Sequence, residues 1–263
     1  MRGSARRVAR NEPTTSVRFV DVLSAEFGKA RTLPAVWIAL VVAFLAASLL
    51  GALAATDTLR FAGPDGEVSI GQFGTLLLSP VYAFLVVGVC VADEYRAGQL
   101  GVSLAAVPNR TRLAAAKTMA AAVLGVLAAV PVLGPGHLLR HLPDLSAGVL
   151  TAAEVTAGFG ASVAVHLLFS LIGWGFAVVT RSVVVPVATL FAIPILLSPM
   201  LQGVLPTVVR LLPHEAALSG LGTPIDPSVA LGADTAWLVL LGWAGAFVAA
   251  ACRCLVRRDV SGA

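Results

Sequence analysis

Six long apolar stretches occupy most of this chain, and the basic residues sort between the gaps. The stretches run over 34–55, 70–92, 113–134, 153–180, 183–205 and 235–255. Each is long enough to cross a hydrocarbon core as a helix, which takes about 20 apolar residues. In lipid the backbone must satisfy its own polar groups, so the spans are helices, and the period-two alternation of a membrane barrel is absent. With the spans so placed, one side holds Arg2, Arg6, Arg7, Arg10, Arg18, Lys29, Arg31, Arg96, Arg110, Arg112, Lys117, Arg181, Arg253, Arg257 and Arg258. The other side keeps Arg60, Arg140 and Arg210, so 15 of the 18 Lys and Arg residues share one side. Cytoplasmic loops retain Lys and Arg, whereas translocated loops shed them. The pattern predicts an all-α, polytopic bundle of six transmembrane helices in the cytoplasmic (plasma) membrane, with the N- and C-termini inside.

Composition agrees. Charged residues make up 12% of the chain, against about 25% in a soluble domain, and mean hydropathy is +0.91. The net charge of +4 is the sum of cytoplasmic anchors set against anionic membrane lipid, and needs no nucleic-acid partner. Cys90, Cys252 and Cys254 are odd in number and fall at the cytoplasmic ends of spans, which argues against a disulfide framework. The C-x-C pair has no nearby His or Cys pair to complete a metal site. Arg6-Arg7 resembles a twin-arginine start, but the first apolar stretch begins only at Pro34 and is too long for a signal segment. Residues 1–16 read as a disordered basic tail, and residues 17–263 as a single six-helix transmembrane domain.

Several features lie outside the spans. Over 17–32, Phe19, Val20, Leu23 and Phe27 recur at helical spacing, while Arg18, Asp21, Glu26, Lys29 and Arg31 supply polar positions. This predicts an amphipathic helix lying along the cytoplasmic interface. Pro64-Asp65-Gly66 marks a turn in the first outer loop. His137-x-x-Arg140-His141 reads as a solvated loop between spans three and four, interrupted by Pro143. Span four carries Gly158, Gly160, Gly173 and Gly175, and places His166 near mid-membrane. An ionisable residue there is a functional candidate; a neutral His hydrogen-bonded to a neighbouring helix is the reading favoured here. Prolines 186, 194 and 199 permit bends in span five. Residues 206–234 are too broken to span and too apolar for a simple loop, which suits a short re-entrant or interfacial element on the outer side.

The segment 93–117 carries most of the functional signal. Its charged ends hold Asp93, Glu94 and Arg96, then Arg110, Arg112 and Lys117; between them Leu100, Val102, Leu104 and Val107 form a short apolar piece. Topology alone requires neither the acidic pair nor the apolar insert. An apolar helix held below the membrane by charged flanks predicts a docking element for a soluble partner.

Here the chain resembles the permease subunit of type 2 ATP-binding cassette exporters. The residues that carry the resemblance are Glu94, Arg96, Gly98, Pro108, Arg110 and Lys117, together with Glu26-x-x-Lys29-x-Arg31-Thr32 before span one, which is similar to the family's connecting helix. The resemblance implies a second permease, identical or related, and two ATP-binding subunits. It implies that the 93–117 loop holds a coupling helix, with Leu100 and Leu104 on its docking surface. It also implies that ATP and Mg belong to the partner subunit, with no cofactor bound by this chain. No G-x-x-x-x-G-K-[ST] sequence occurs, so ATP hydrolysis falls to another polypeptide. The cargo suggested by the Ala-, Val-, Leu- and Gly-rich spans is lipophilic or amphipathic. Two alternatives stand beside this reading: an ion-coupled carrier, for which His166 would be the deep polar group, and a membrane scaffold that recruits a partner without transport. A membrane enzyme fits least, since no H-E-x-x-H or G-x-S-x-G occurs.

Overall fold

The computed structural model describes residues 18–63, 66–92, 94, 99–228 and 230–257. The 1–16 tail, Arg96 and Gly98 fall outside them. The fold is built from helices, with one short hairpin. Helix α1 (Phe19–Thr32) is followed at once by α2 (Pro34–Thr56). Leu33 between them is extended, as a residue before proline prefers, and Pro34 opens α2 where its missing N–H costs nothing. The chain then makes an antiparallel hairpin of β1 (Arg60–Gly63) and β2 (Gly66–Ser69), with Phe61 opposite Val68. Gly66, the last residue of the Pro-Asp-Gly turn signal, pairs with Gly63; Pro64 and Asp65 lie outside the described residues.

Span two is α3 (Gly74–Leu77) and α4 (Val81–Val91), broken by a turn at 78–80. The short α5 (Gln99–Ala106) leads to α6 (Arg110–Ser146), then α7 (Ala152–Thr180). Span five is α8 (Val184–Ala192), a π-helical turn (Ile193–Leu197) and α9 (Ser198–Gln202). The π turn contains Pro194 and precedes Pro199; proline removes a ladder hydrogen bond, and the wider turn absorbs it. Two short helices follow, α10 (Pro206–Val209) and α11 (Pro213–Gly220), and the chain closes with α12 (Ala233–Arg257). Among the described residues, six helical segments are long and apolar enough to cross a membrane, so this is a multi-pass membrane protein. With an even number of crossings, α1, α5 and the end of α12 share one end of the bundle. The hairpin, α3, α10 and α11 share the other.

Span three corrects the sequence reading. The helix does not stop near residue 134; it runs on to Ser146 through Pro131, Pro135 and Pro143. His137, Arg140 and His141 therefore lie on its last turns, not in a loop. The connection between spans four and five is as short as expected. Arg181 caps α7 in the left-handed conformation (φ 53°), and the Ser182 hydroxyl accepts from Val185 N at 3.2 Å to start α8.

The core runs along α7. Val165, Phe169 and Ile172 pack with Leu78, Val81 and Leu85 of span two and with Ala216–Leu218 of α11. Nearer the other end, Trp174 and Val178 pack with Val89, Ala120 and Ala251. Two glycine contacts set the closest approaches. A Cβ on Gly51 of α2 would lie 2.1 Å from Gly136 O of α6, and one on Gly136 would lie 2.1 Å from Ala47 O. A Cβ on Gly88 would lie 1.9 Å from Ser170 O. Backbone-to-backbone contact through small residues is how helices associate where lipid removes the hydrophobic drive between them. Of the glycines in span four, Gly173 and Gly175 make such contacts, whereas Gly160 faces open space.

Candidate functional site

At the end shared by α1 and α5, four charged side chains converge from three separate elements. Glu26 comes from α1, Glu94 from the exit of span two, and Lys117 from the third turn of α6; Lys29 sits one turn along α1. Lys117 Nζ donates to Glu26 Oε2 at 2.8 Å and lies 3.0 Å from Glu94 Oε2, an ion pair. Lys29 Nζ donates to Glu26 Oε1 at 2.8 Å and also to Glu94 Oε1. Ser103 of α5 donates its hydroxyl proton to Glu94 Oε1 at 2.8 Å. Two carboxylates and two ammoniums thus close a neutral ring.

The ring is buried. Glu26, Glu94 and Lys117 are 3%, 7% and 2% exposed, and only Lys29 reaches solvent. Apolar residues surround it: Val22 of α1, Val107, Leu113 and Ala116 pack together, with Leu104 of α5 against them. Breaking one partner of such a buried set leaves an uncompensated charge, which costs about 3–5 kcal/mol. Burial works to raise the Glu94 carboxyl, but the Lys117 charge and the hydrogen bonds from Lys29, Lys117 and Ser103 outweigh it and hold it below the usual carboxylate range. Burial works to lower the Lys29 ammonium, and the hydrogen bonds and charges of Glu26 and Glu94 outweigh that, raising it above the usual lysine range.

Local sequence positions each member. The Asp21 carboxylate accepts from Arg18 N at 3.1 Å at the start of α1, and Lys29 and Arg31 occupy its last turn, where cations suit the helix dipole. The buried positions Val22, Glu26 and Ala30 recur every four residues, so they line one stripe facing the bundle. Here the expected polar face is corrected. Glu26 points inward to Lys117, while Phe19 and Val20 are exposed. Val107, which precedes Pro108, lies beyond the end of α5. Asn109 caps α6 by accepting from Arg112 N at 3.0 Å.

Among the residues singled out from sequence, Glu26, Lys29, Glu94 and Lys117 come together, and Arg110 opens α6. Arg31 is exposed; its carbonyl accepts from Trp37 Nε1 at 2.9 Å. Leu104 does not face outward but packs toward α1. The exposed side of α5 is instead Val102, Ala105 and Ala106, continued by Pro108. The Leu100 side chain lies outside the described residues. Ser103 went unnoticed, although a lone hydroxyl in an apolar eight-residue helix marks the face turned toward a charge. His166 is buried, but its Nδ1–H bonds to Ser162 O of its own helix at 2.6 Å rather than to a neighbouring one, and its ring meets Phe84 edge-on.

The fold and site are those of a multi-pass membrane-helix bundle with a short helix pinned to its charged end by an ion ring. Residues 22–198, from the first buried residue of α1 to the start of α9, match the ABC-2 family transporter protein family, and the chain belongs to that family. Its domain is a transmembrane subunit rather than an ATPase, and normally pairs with an ATP-binding cassette subunit. No curated protein matches the chain.

Proposed function

We propose that this chain is the permease of an ATP-driven exporter, moving a lipophilic or amphipathic cargo across the cytoplasmic membrane with ATP hydrolysed by a separate subunit. The observation that carries the reading is the ion ring. It ties α5 simultaneously to α1 and to the roots of spans two and three. A partner that pushes on α5 therefore moves those elements as one body. The exposed strip of Val102, Ala105, Ala106 and Pro108 is the surface offered to the ATPase, and α5 serves as the coupling helix. The complete exporter pairs two permeases, identical or related, with two ATPase subunits that bind ATP and Mg. The basic end of the bundle faces the cytoplasm, in keeping with the distribution of Lys and Arg, and α1 lies against the inner leaflet.

The test is co-isolation. The tagged full-length chain, solubilised from its native membranes, is expected to bring down a P-loop ATPase in stoichiometric amount. Val102→Asp is expected to abolish that association while leaving insertion intact. Absence of an ATPase, or an association indifferent to Val102→Asp, would overturn the reading and favour the carrier or scaffold alternatives.

A further inference from the structure

The opposite end of the bundle holds a cavity of about 450 Å³ between α6 and α7, reaching α3 and α11. One wall carries Arg140, His137 and His141 of α6, and the floor carries His166 of α7. The His166 Nδ1–H is already committed to Ser162 O at 2.6 Å, so in the neutral ring Nε2 holds a lone pair. That atom is buried without a hydrogen-bond partner, as is His141 Nδ1. His137 is likewise oriented: Nε2 donates to Val155 O at 3.0 Å, which leaves Nδ1 as an acceptor. Arg140 Nη2 donates to the neutral Gly71 carbonyl at 3.0 Å. No carboxylate among the described residues lies within ion-pair distance of it. Glu154, at the rim, spends Oε2 on Thr151 N and Oγ1 at 2.7 Å each, capping α7. Among the described residues no His, Cys, Asp or Glu group has metal-holding geometry. Asp144, one turn further along α6, acts on Arg140 through its charge without reaching ion-pair distance. The cavity therefore offers a cation with no ion-pair partner among the described residues, a rim carboxylate already engaged by the α7 cap, and imidazole acceptors at His137 and His166.

We infer that this cavity binds the phosphate of an amphiphile whose head also carries hydroxyl or ammonium donors. Arg140 takes the phosphate by charge-assisted hydrogen bonds. The His166 Nε2 lone pair takes a donor from the head, which satisfies a group otherwise left bare. Small residues (Ala157, Gly158 and Ala161) line the α7 side and leave room for a head to enter. The ligand is either a resident phosphoglycerol or phosphoethanolamine lipid, or a soluble phosphate-bearing molecule. The inference goes beyond the exporter reading and is tested without the ATPase, so either can fail alone.

The experiment is native mass spectrometry of the full-length chain titrated with phosphatidylglycerol, phosphatidylethanolamine or phosphatidylcholine. The first two are expected to be retained about tenfold better than phosphatidylcholine, whose head has no donor. Arg140→Gln is expected to lose that retention and Arg140→Lys to keep most of it. His166→Leu is expected to erase the preference over phosphatidylcholine while retaining lipid. Displacement by inorganic phosphate identifies a soluble source; resistance to it identifies a lipid. Equal retention of all three lipids by the wild-type chain, or undiminished retention by a folded Arg140→Gln, would overturn the inference. Should Arg140→Gln fail to fold, the wild-type series and His166→Leu decide it.

Discussion

Lys117 is a lysine 2% exposed in the third turn of a membrane helix, and two carboxylates meet it there, Glu26 at 2.8 Å and Glu94 at 3.0 Å. Lys117→Met is therefore expected to be worse than removing a surface charge, leaving Glu26 and Glu94 facing each other with only Lys29 between. A loss of about 3–5 kcal/mol is predicted, read as a lower unfolding temperature in detergent. Glu26→Gln combined with Lys117→Met is expected to recover part of it. The pH dependence follows from the same contacts. The Glu94 carboxyl is held below its usual 4.5, so its contribution is present above that value and is lost as pH falls through the depressed value. Lys29 is raised above its usual 10.5, so its contribution is present below that value and is lost as pH rises through the raised one. Thermal stability is expected to hold a plateau between these limits, and Glu94→Gln to flatten the acid limb. A wild-type acid limb that persists unchanged in Glu94→Gln would contradict this. The sequence singled out Glu26, Glu94 and Lys117, as charges beside apolar spans and as residues that carry the family resemblance. It could not show that they meet, because residues 26 and 117 are brought together only by the packing of α1 on α6.

At the scale of elements, α5 has two faces with different duties. Leu104 and Ser103 face the bundle, whereas Val102, Ala105 and Ala106 are exposed and form the proposed docking face. Ser103→Ala is expected to weaken coupling, measured as permease-stimulated ATP hydrolysis, without preventing association; Val102→Asp should prevent association itself. Equal effects on both readouts would mean that the faces are not distinct. The α2–α6 contact makes a separate prediction. Gly51→Leu must push two backbones apart, and a loss of about 3 kcal/mol or more is expected from overpacking at a backbone contact, seen as loss of monodisperse chain on gel filtration. Gly160→Leu, in open space, should be silent. The spans themselves were legible from hydropathy. The end of span three was not, because Pro143 and three polar residues imitate a loop, whereas proline inside a membrane helix is tolerated when neighbours satisfy the freed carbonyls. The inward turn of Glu26 was hidden for a related reason: helical periodicity gives a polar stripe but not whether water or an opposing charge faces it.

At the scale of the whole molecule, polarity is concentrated at the two ends and the middle is close-packed around α7. One end gathers balanced charges at the base of α5; the other holds an open cavity whose Arg140 has no ion-pair partner among the described residues. Six candidate crossings among the described residues and family membership account for the bundle, and in the proposed function the anchored α5 is where it receives force. The measurement that tests this most directly is site-specific photo-cross-linking in native membranes. A benzophenone residue replaces Ala105 on the exposed face of α5 in one variant, and Leu104 on the packed face in another. The account predicts a covalent adduct to a P-loop ATPase from position 105, and no such adduct from position 104. No ATPase adduct from position 105 in membranes rich in the folded chain, or equal adducts from both positions, would contradict it.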